Sequence, residues 1–177
     1  MKEIEVKILE IEPEKMEAGF ERVGAVKEFD YLFRAAFFDD AHGTIQHAGG
    51  LLRLRQEGPH AALTHKTLIS TDDVKIMEEV ETQVADPGSM IMILKQLGYR
   101  VVRETTKQRI QYSWKRSHFV IDIYKGDLEG IPPLLEIESP DEEELQNAVE
   151  ALGYKMSDTR PWNTYDLIQH YGIGTSN

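Results

Sequence analysis

Cysteine is absent from the 177-residue chain, so neither a disulfide framework nor a thiolate metal site is available to it. Positive charge is scarce: 20 Lys and Arg stand against 31 Asp and Glu, a formal net charge of -11. Non-specific binding to phosphate backbones needs clustered Lys and Arg on an outer surface, so no nucleic acid partner is expected. No run approaches the roughly 20 apolar residues of a membrane span, and the first residues alternate charge with Ile and Val instead of forming an apolar signal core. A cytoplasmic protein with no membrane partner is the expectation. Linkers rich in Pro, Ser or Gly are also missing, so residues 1–172 are expected to form a single domain, with a frayed tail at 173–177. The six histidines show no H-x-x-x-H or H-E-x-x-H spacing, which removes the common zinc signatures.

What is present is a balance of 41% hydrophobic and 29% charged residues, suited to a globular domain. Three helices are delimited by their ends. Proline in the first turn and glycine just past the last are the usual punctuation. The segments from Glu12-Pro13 to Gly24, Asp86-Pro87 to Gly98 and Ser139-Pro140 to Gly153 all carry it. In the third, Ser139 with Glu142 matches a capping box. Trp162, Tyr165, Leu167, Ile168 and Tyr171 are spaced for a fourth, short amphipathic helix. Between the helices the pattern has a period of two: residues 3–9, 32–39, 51–55, 62–69, 76–84, 106–114, 118–124 and 134–138 read as strands. Residues 40–50 read as a turn-rich connection, and Gly49-Gly50, which precedes a strand rather than a helix, as a turn and not a phosphate loop.

Each strand has an apolar face, such as Ile4/Val6, Leu52/Leu54, Ile110/Tyr112, Ile121/Ile123 and Leu135/Ile137, which needs covering by helices. The opposite faces carry like charges two residues apart: Glu3/Glu5, Arg53/Arg55, Glu79/Glu81, Lys107/Arg109 and Glu136/Glu138. Such pairs repel, and five of them suit a solvated sheet poorly. They make sense if something of both signs sits between them. Many strands with few helices also predict an antiparallel sheet that closes, because open edges invite aggregation. The expected fold class is therefore α+β: an antiparallel β-barrel of about eight strands, helices packed on its outside and charges lining its lumen. Carboxylates are hard ligands for Mg²⁺ or Mn²⁺, and Arg and Lys are donors to phosphate oxygens. Seven acids (Glu3, Glu5, Glu79, Glu81, Asp122, Glu136, Glu138) and six bases (Lys7, Arg53, Arg55, Lys66, Lys107, Arg109) together describe a metal–polyphosphate site.

Taken in order, E-x-E-x-K at Glu3-Glu5-Lys7, L-R-L-R at Leu52–Arg55, Lys66, E-x-E at Glu79/Glu81, K-x-R at Lys107/Arg109, the lone Asp122 and E-I-E at Glu136–Glu138 resemble the CYTH superfamily of triphosphate tunnel metalloenzymes. The resemblance implies an eight-stranded antiparallel tunnel that takes a small-molecule triphosphate with Mg²⁺ or Mn²⁺. It implies Glu3, Glu5, Asp122, Glu136 and Glu138 as metal ligands, and Lys7, Arg53, Arg55, Lys66, Lys107 and Arg109 as triphosphate ligands. Glu79 and Glu81, near a second metal or the attacking water, and Lys7 form the expected catalytic set. Where the family often has an Arg two residues before E-x-E, this chain has Met77, so a phosphate contact is either missing or supplied by Lys75. The expected activity is metal-dependent hydrolysis of inorganic tripolyphosphate, a nucleoside triphosphate or thiamine triphosphate. The stretch from Leu97 to Tyr112 is more similar to the cyclase-type branch, which keeps open conversion of ATP to cyclic AMP and pyrophosphate. A non-catalytic polyphosphate or nucleotide binder is the third reading.

Overall fold

Charged and branched residues alternate from Lys2 to Ile8 and form strand β1 (Lys2–Ile8), as a period of two requires. The computed structural model of the protein describes residues 2–58, 60–70 and 75–173, apart from the side chains of Lys2, Glu3 and Lys75. Helix α1 (Pro13–Val23) has its proline in the first turn and ends at left-handed Gly24, φ 76°, which only glycine adopts without a Cβ penalty. There follow β2 (Val26–Asp39), α2 (Thr44–His47), β3 (Leu51–Glu57), β4 (His60–Ser70), β5 (Lys75–Gln83), α3 (Pro87–Gln96), β6 (Arg100–Trp114), β7 (Ser117–Lys125), β8 (Leu134–Ser139), α4 (Glu142–Ala151) and α5 (Thr164–His170).

Every strand pairs antiparallel with both neighbours, and the order β1-β5-β4-β3-β2-β6-β7-β8 closes on itself. Closure leaves no edge to template another chain. The eight-stranded barrel with external helices expected from the alternation is the architecture observed. Its hydrophobic core lies outside the barrel wall, in three clusters. The largest joins Ile4, Val6, Ile8, Ile110, Tyr112, Phe119, Ile121, Leu135 and Ile137 of the wall to Met16 and Phe20 of α1 and Leu145, Ala148 and Val149 of α4. A second packs Phe38, Leu52 and Leu54 beneath Leu94 of α3. The third places Leu167 and Ile168 of α5 against Tyr124, Leu128, Ile131 and Leu134. Cover is incomplete over β4 and β5, where Ile69 and Val80 remain 59% and 69% exposed.

Several local expectations change. Strands β2 and β6 begin six residues earlier than their alternation suggests, at Val26 and Arg100. The two pair along nearly their whole length, with irregularities at Lys27/Phe29 and Phe37/Phe38, and each bulge breaks the period that would announce a strand. The cap of α4 is Asp141, whose carboxylate accepts from the Glu144 N–H at 2.9 Å. Ser139 instead ends β8 and bonds Ser117 Oγ at 2.8 Å, so Pro140 lies before the cap and not in the first turn. The 40–50 connection contains α2, held by buried Asp39, which accepts from the N–H groups of Asp40, Ile45 and Gln46 at 2.8–3.0 Å. Gly49 and Gly50 do form its turn: a Cβ on Gly50 would lie 2.7 Å from the Lys66 carbonyl oxygen. The connection at 71–74 and the tail from residue 174 lie outside the described residues.

No helix among the described residues is long and apolar enough to cross a membrane. Because Leu145 is fully buried between α4 and the barrel, Leu145→Ala removes core that the wall cannot refill. Urea unfolding should show a loss of about 2–5 kcal/mol, and a loss under 1 kcal/mol would mean that α4 contributes little to holding the barrel.

Candidate active site

Closing a period-two sheet sends one face of every strand into the lumen, and the register sets charges of both signs abreast there. Glu5 stands opposite Glu138 and Lys7 opposite Glu136 across β1 and β8. Arg109 stands opposite Asp122 across β6 and β7, and Lys66 opposite Glu79 across β4 and β5. The lumen holds a cavity of about 740 Å³ whose lining includes Glu5, Lys7, Arg53, Arg55, Lys66, Glu79, Glu81, Lys107, Arg109, Glu136 and Glu138. Of the two further expected residues, only Asp122 has a described side chain, and it is not part of this lining. The Glu3 side chain lies outside the described part of the structure, and Asp122 is fully buried behind Arg109 and Lys107. Met77, at the position where an Arg was in question, lines the cavity and is 1% exposed. Lys75 pairs opposite Glu5 in β5, with its side chain again outside the description.

The charges form a connected chain. Lys7 Nζ lies 2.5 Å from Glu136 and 3.3 Å from Glu5. Arg109 Nη2 donates to Glu136 at 3.0 Å. The same guanidinium donates through Nε and Nη2 to the two Asp122 oxygens at 2.8 and 2.7 Å, and Lys107 donates to Asp122 as well. On the facing wall Lys66 lies 2.8 Å from Glu79, while Glu81 accepts from Thr64 Oγ at 2.6 Å and lies 3.5 Å from Arg55. Arg55 and Arg109 both sit over the Phe33 ring, at 5.5 and 5.8 Å.

These neighbours displace the proton equilibria. Burial works to raise Glu136, but Lys7 and Arg109 outweigh it and hold the carboxyl well below the usual range. Asp122 is lowered in the same way by Arg109 and Lys107 against burial. Burial acts to lower Lys7 and Arg109, and the carboxylates beside them win, so both are raised. Arg53 differs: burial and the adjacent Arg55 and Arg109 charges lower it, and its buried Nε has no hydrogen-bond partner among the described residues. An orphaned guanidinium N–H beside two further cations is an arrangement that an anion with several oxygens would satisfy.

The acids converge elsewhere in the lumen. One oxygen from each of Glu5, Glu136 and Glu138 lies within 4.8 Å of the others, and Glu5 directly faces Glu138. Opposed like charges destabilise a sheet unless a cation lies between them. Three hard oxygen donors fit Mg²⁺ or Mn²⁺, which bind a few carboxylates and keep several waters. Lining residues outside the expected site set include Arg103, Thr105 and Tyr124. The first two share the inward parity of Lys107 and Arg109 but precede the point where the strand pattern becomes regular.

Lys107 is displaced toward neutrality. Burial and the adjacent Arg109 charge push it down to about 8, against the pull of Asp122, from an ordinary 10.5. Between those values the unfolded chain holds a proton that the native state lacks, so this residue's contribution to stability rises with pH across the window. Urea midpoints followed from pH 7.5 to 10 should therefore climb less steeply, or fall more, in Lys107→Met than in the native chain. Parallel pH profiles would show that Lys107 keeps its ordinary pKa.

Comparison with known proteins agrees with this geometry. No curated protein matches the sequence. Among solved structures, the PH1012 protein of Pyrococcus horikoshii OT3 superposes with a TM-score of 0.78 at 24% identity, covering 93% of this chain and 98% of its own. A proposed adenylate cyclase from Vibrio parahaemolyticus has a TM-score of 0.80 at 18% identity, covering 94% and 97%. A Hippeastrum protein with a dominant triphosphatase activity has a TM-score of 0.64 at 16% identity, covering 99% and 92%. These likenesses establish the shared fold, and the CYTH domain model matches residues 1–161. An eight-stranded tunnel with paired acids and bases on its inner wall, matched along nearly its whole sequence, places the chain in the CYTH domain family.

Proposed function

We propose that the protein is a divalent-metal-dependent hydrolase of a triphosphate, acting inside the tunnel. The observation that supports this reading is the joining in one lumen of a carboxylate triad at Glu5, Glu136 and Glu138 with a cation set in which buried Arg53 Nε has no hydrogen-bond partner among the described residues. The family is divalent-metal dependent and acts on small triphosphate substrates, and the Hippeastrum relative has a dominant triphosphatase activity.

In this reading Glu5, Glu136 and Glu138 hold the metal, with Glu3, two residues before Glu5 on β1, completing the acidic set. The bound ion supplies neutralisation of phosphate charge and polarisation of phosphoryl oxygens. Arg53, Arg55, Lys66, Lys107 and Arg109 grip the phosphate oxygens. Asp122 serves this grip indirectly: its two bonds to Arg109 fix the plane of the guanidinium, which departs from the metal-ligand role that the resemblance implied. Lys7, paired with Glu136 and Glu5, exchanges a carboxylate partner for a phosphate oxygen when substrate enters.

Glu81 and Glu79 orient a water in line with the terminal phosphorus and accept its proton. Oxygen from water bonds to that phosphorus as the bridging P–O bond breaks, giving orthophosphate and a chain shorter by one phosphate. Negative charge growing on the leaving oxygen is neutralised by groups fixed before the reaction, so little reorganisation is needed.

Incubation with Mg²⁺ and inorganic tripolyphosphate should release orthophosphate and diphosphate, and the same metal with ATP should release orthophosphate and ADP. Cyclic AMP and pyrophosphate as the main products from ATP would replace hydrolysis by cyclisation, and tight binding without turnover would leave a binder. Glu138→Gln removes one charge from the triad without changing its shape, and should lower metal-dependent turnover by about 100-fold, the upper end of the effect of disturbing a metal site, while circular dichroism stays native. Unchanged turnover would remove Glu138 from the metal site.

A further inference from the structure

An aromatic ring stands among the cations of the lumen. Phe33 is 3% exposed and lines the cavity, yet it belongs to none of the three apolar clusters that join the helices to the wall. Lys107 lies directly opposite it in β6. Arg109 pairs with Tyr31, two residues before it, and Arg55 with Ala35, two residues after it. Diagonal neighbours on one face of a sheet are about 7–8 Å apart, within reach of long side chains. Both guanidiniums use that reach: Arg55 Cζ lies 5.5 Å and Arg109 Cζ 5.8 Å from the ring centroid. Arg55 stands in register between two alanines, Ala35 and Ala62, whose methyl groups offer a guanidinium no polar partner. Phe29 backs the ring, with the two centroids 5.8 Å apart.

Apart from the ring, the two guanidiniums are not equally secured. Arg109 makes charge-assisted bonds to Asp122 and Glu136 at 2.7–3.0 Å. Arg55 has longer contacts, 3.5 Å to Glu81 and 3.8 Å to Glu57, at and beyond the limit of a good hydrogen bond. An aliphatic side chain would fill the wall equally well, but the face of an aromatic ring is negative and attracts a cation, the more strongly where water is excluded. The ring also carries no net charge. A carboxylate that fixed Arg55 as firmly as Asp122 fixes Arg109 would repel an arriving phosphate, and a ring does not. We propose that Phe33 is a positioning residue, whose ring face holds Arg55 and Arg109 in the orientation in which they take phosphate oxygens. The proposal rests on the placement of the triphosphate among these cations.

The test uses the full chain with Mg²⁺ and inorganic tripolyphosphate. Replacing Phe33 by phenylalanines that carry one, two and three ring fluorines keeps its shape while draining the negative face. KM should rise step by step, to about tenfold with three fluorines, the change expected on losing a desolvated cation–π contact. Turnover should stay within about twofold, because ground state and transition state lose the same binding. Phe33→Leu should raise KM at least as far, and Phe33→Tyr should restore the native value. A ring that only fills space would leave KM level through the fluorinated series, and that result overturns the proposal. So would an equal rise when the same series is placed at Phe119, fully buried in the outer core. If the native chain turns over no triphosphate, the hydrolase reading fails by itself, and calorimetric titration with Mg²⁺ and tripolyphosphate decides the role of the ring. A Kd that weakens along the fluorinated series supports it, and a constant Kd, or no binding to the native chain, overturns it.

Discussion

The interaction on which the rest of the structure depends is the alternating chain of buried charges Lys7–Glu136–Arg109–Asp122–Lys107, which runs across four strands. Ions inside a protein lose their hydration, and each is tolerated only while its neighbours replace it. Removing one member therefore strands the next. The strands that carry these residues must lie in one register, because a slip of one residue would turn every lumen charge into the apolar layer. The electrostatic requirement of the lumen and the hydrophobic requirement of the outer wall thus select the same pairing.

That double demand explains the inverted layout of the domain. Its dry core is outside the barrel, between the wall and α1, α3, α4 and α5, while the barrel's inside is polar and roomy enough for a ligand and water. The helices are placed to cover apolar wall, and two of the connections they interrupt, around α2 and α5, also shape one end of the cavity. Packing and site are consequently joined: α5 buries Leu167 and Ile168 on one side and presents Tyr165 on the other.

Much of this was legible in the residue pattern, for a specific reason. Inward and outward positions follow from parity, so Glu5, Lys7, Arg53, Arg55, Lys66, Glu79, Glu81, Lys107, Arg109, Glu136 and Glu138 could be placed on one face before any pairing was known, and all of them line the cavity. Where parity was broken the reading stopped short. The bulge that leaves Glu28 out of the register interrupted the start of β2, and the one that leaves Val102 out interrupted the start of β6 that contains Arg103. At α4 two cap candidates competed, and Asp141 displaced Ser139 because Ser139 was needed by the sheet and by Ser117. Asp122 has the parity of a lumen residue, yet lies sealed behind the two bases that it holds.

The order of acids, bases and apolar residues by itself determined the antiparallel barrel, the outer position of its helices and the membership of the charged set, because each is a consequence of side-chain alternation along single strands. Which charges touch was decided only by the tertiary structure. Closure of the sheet made Glu5 face Glu138, set Lys7 opposite Glu136 as a neighbour of the other sign, and brought α5 beside Arg103. Those contacts depend on distances between segments far apart in the chain, and a period of two fixes direction but not distance.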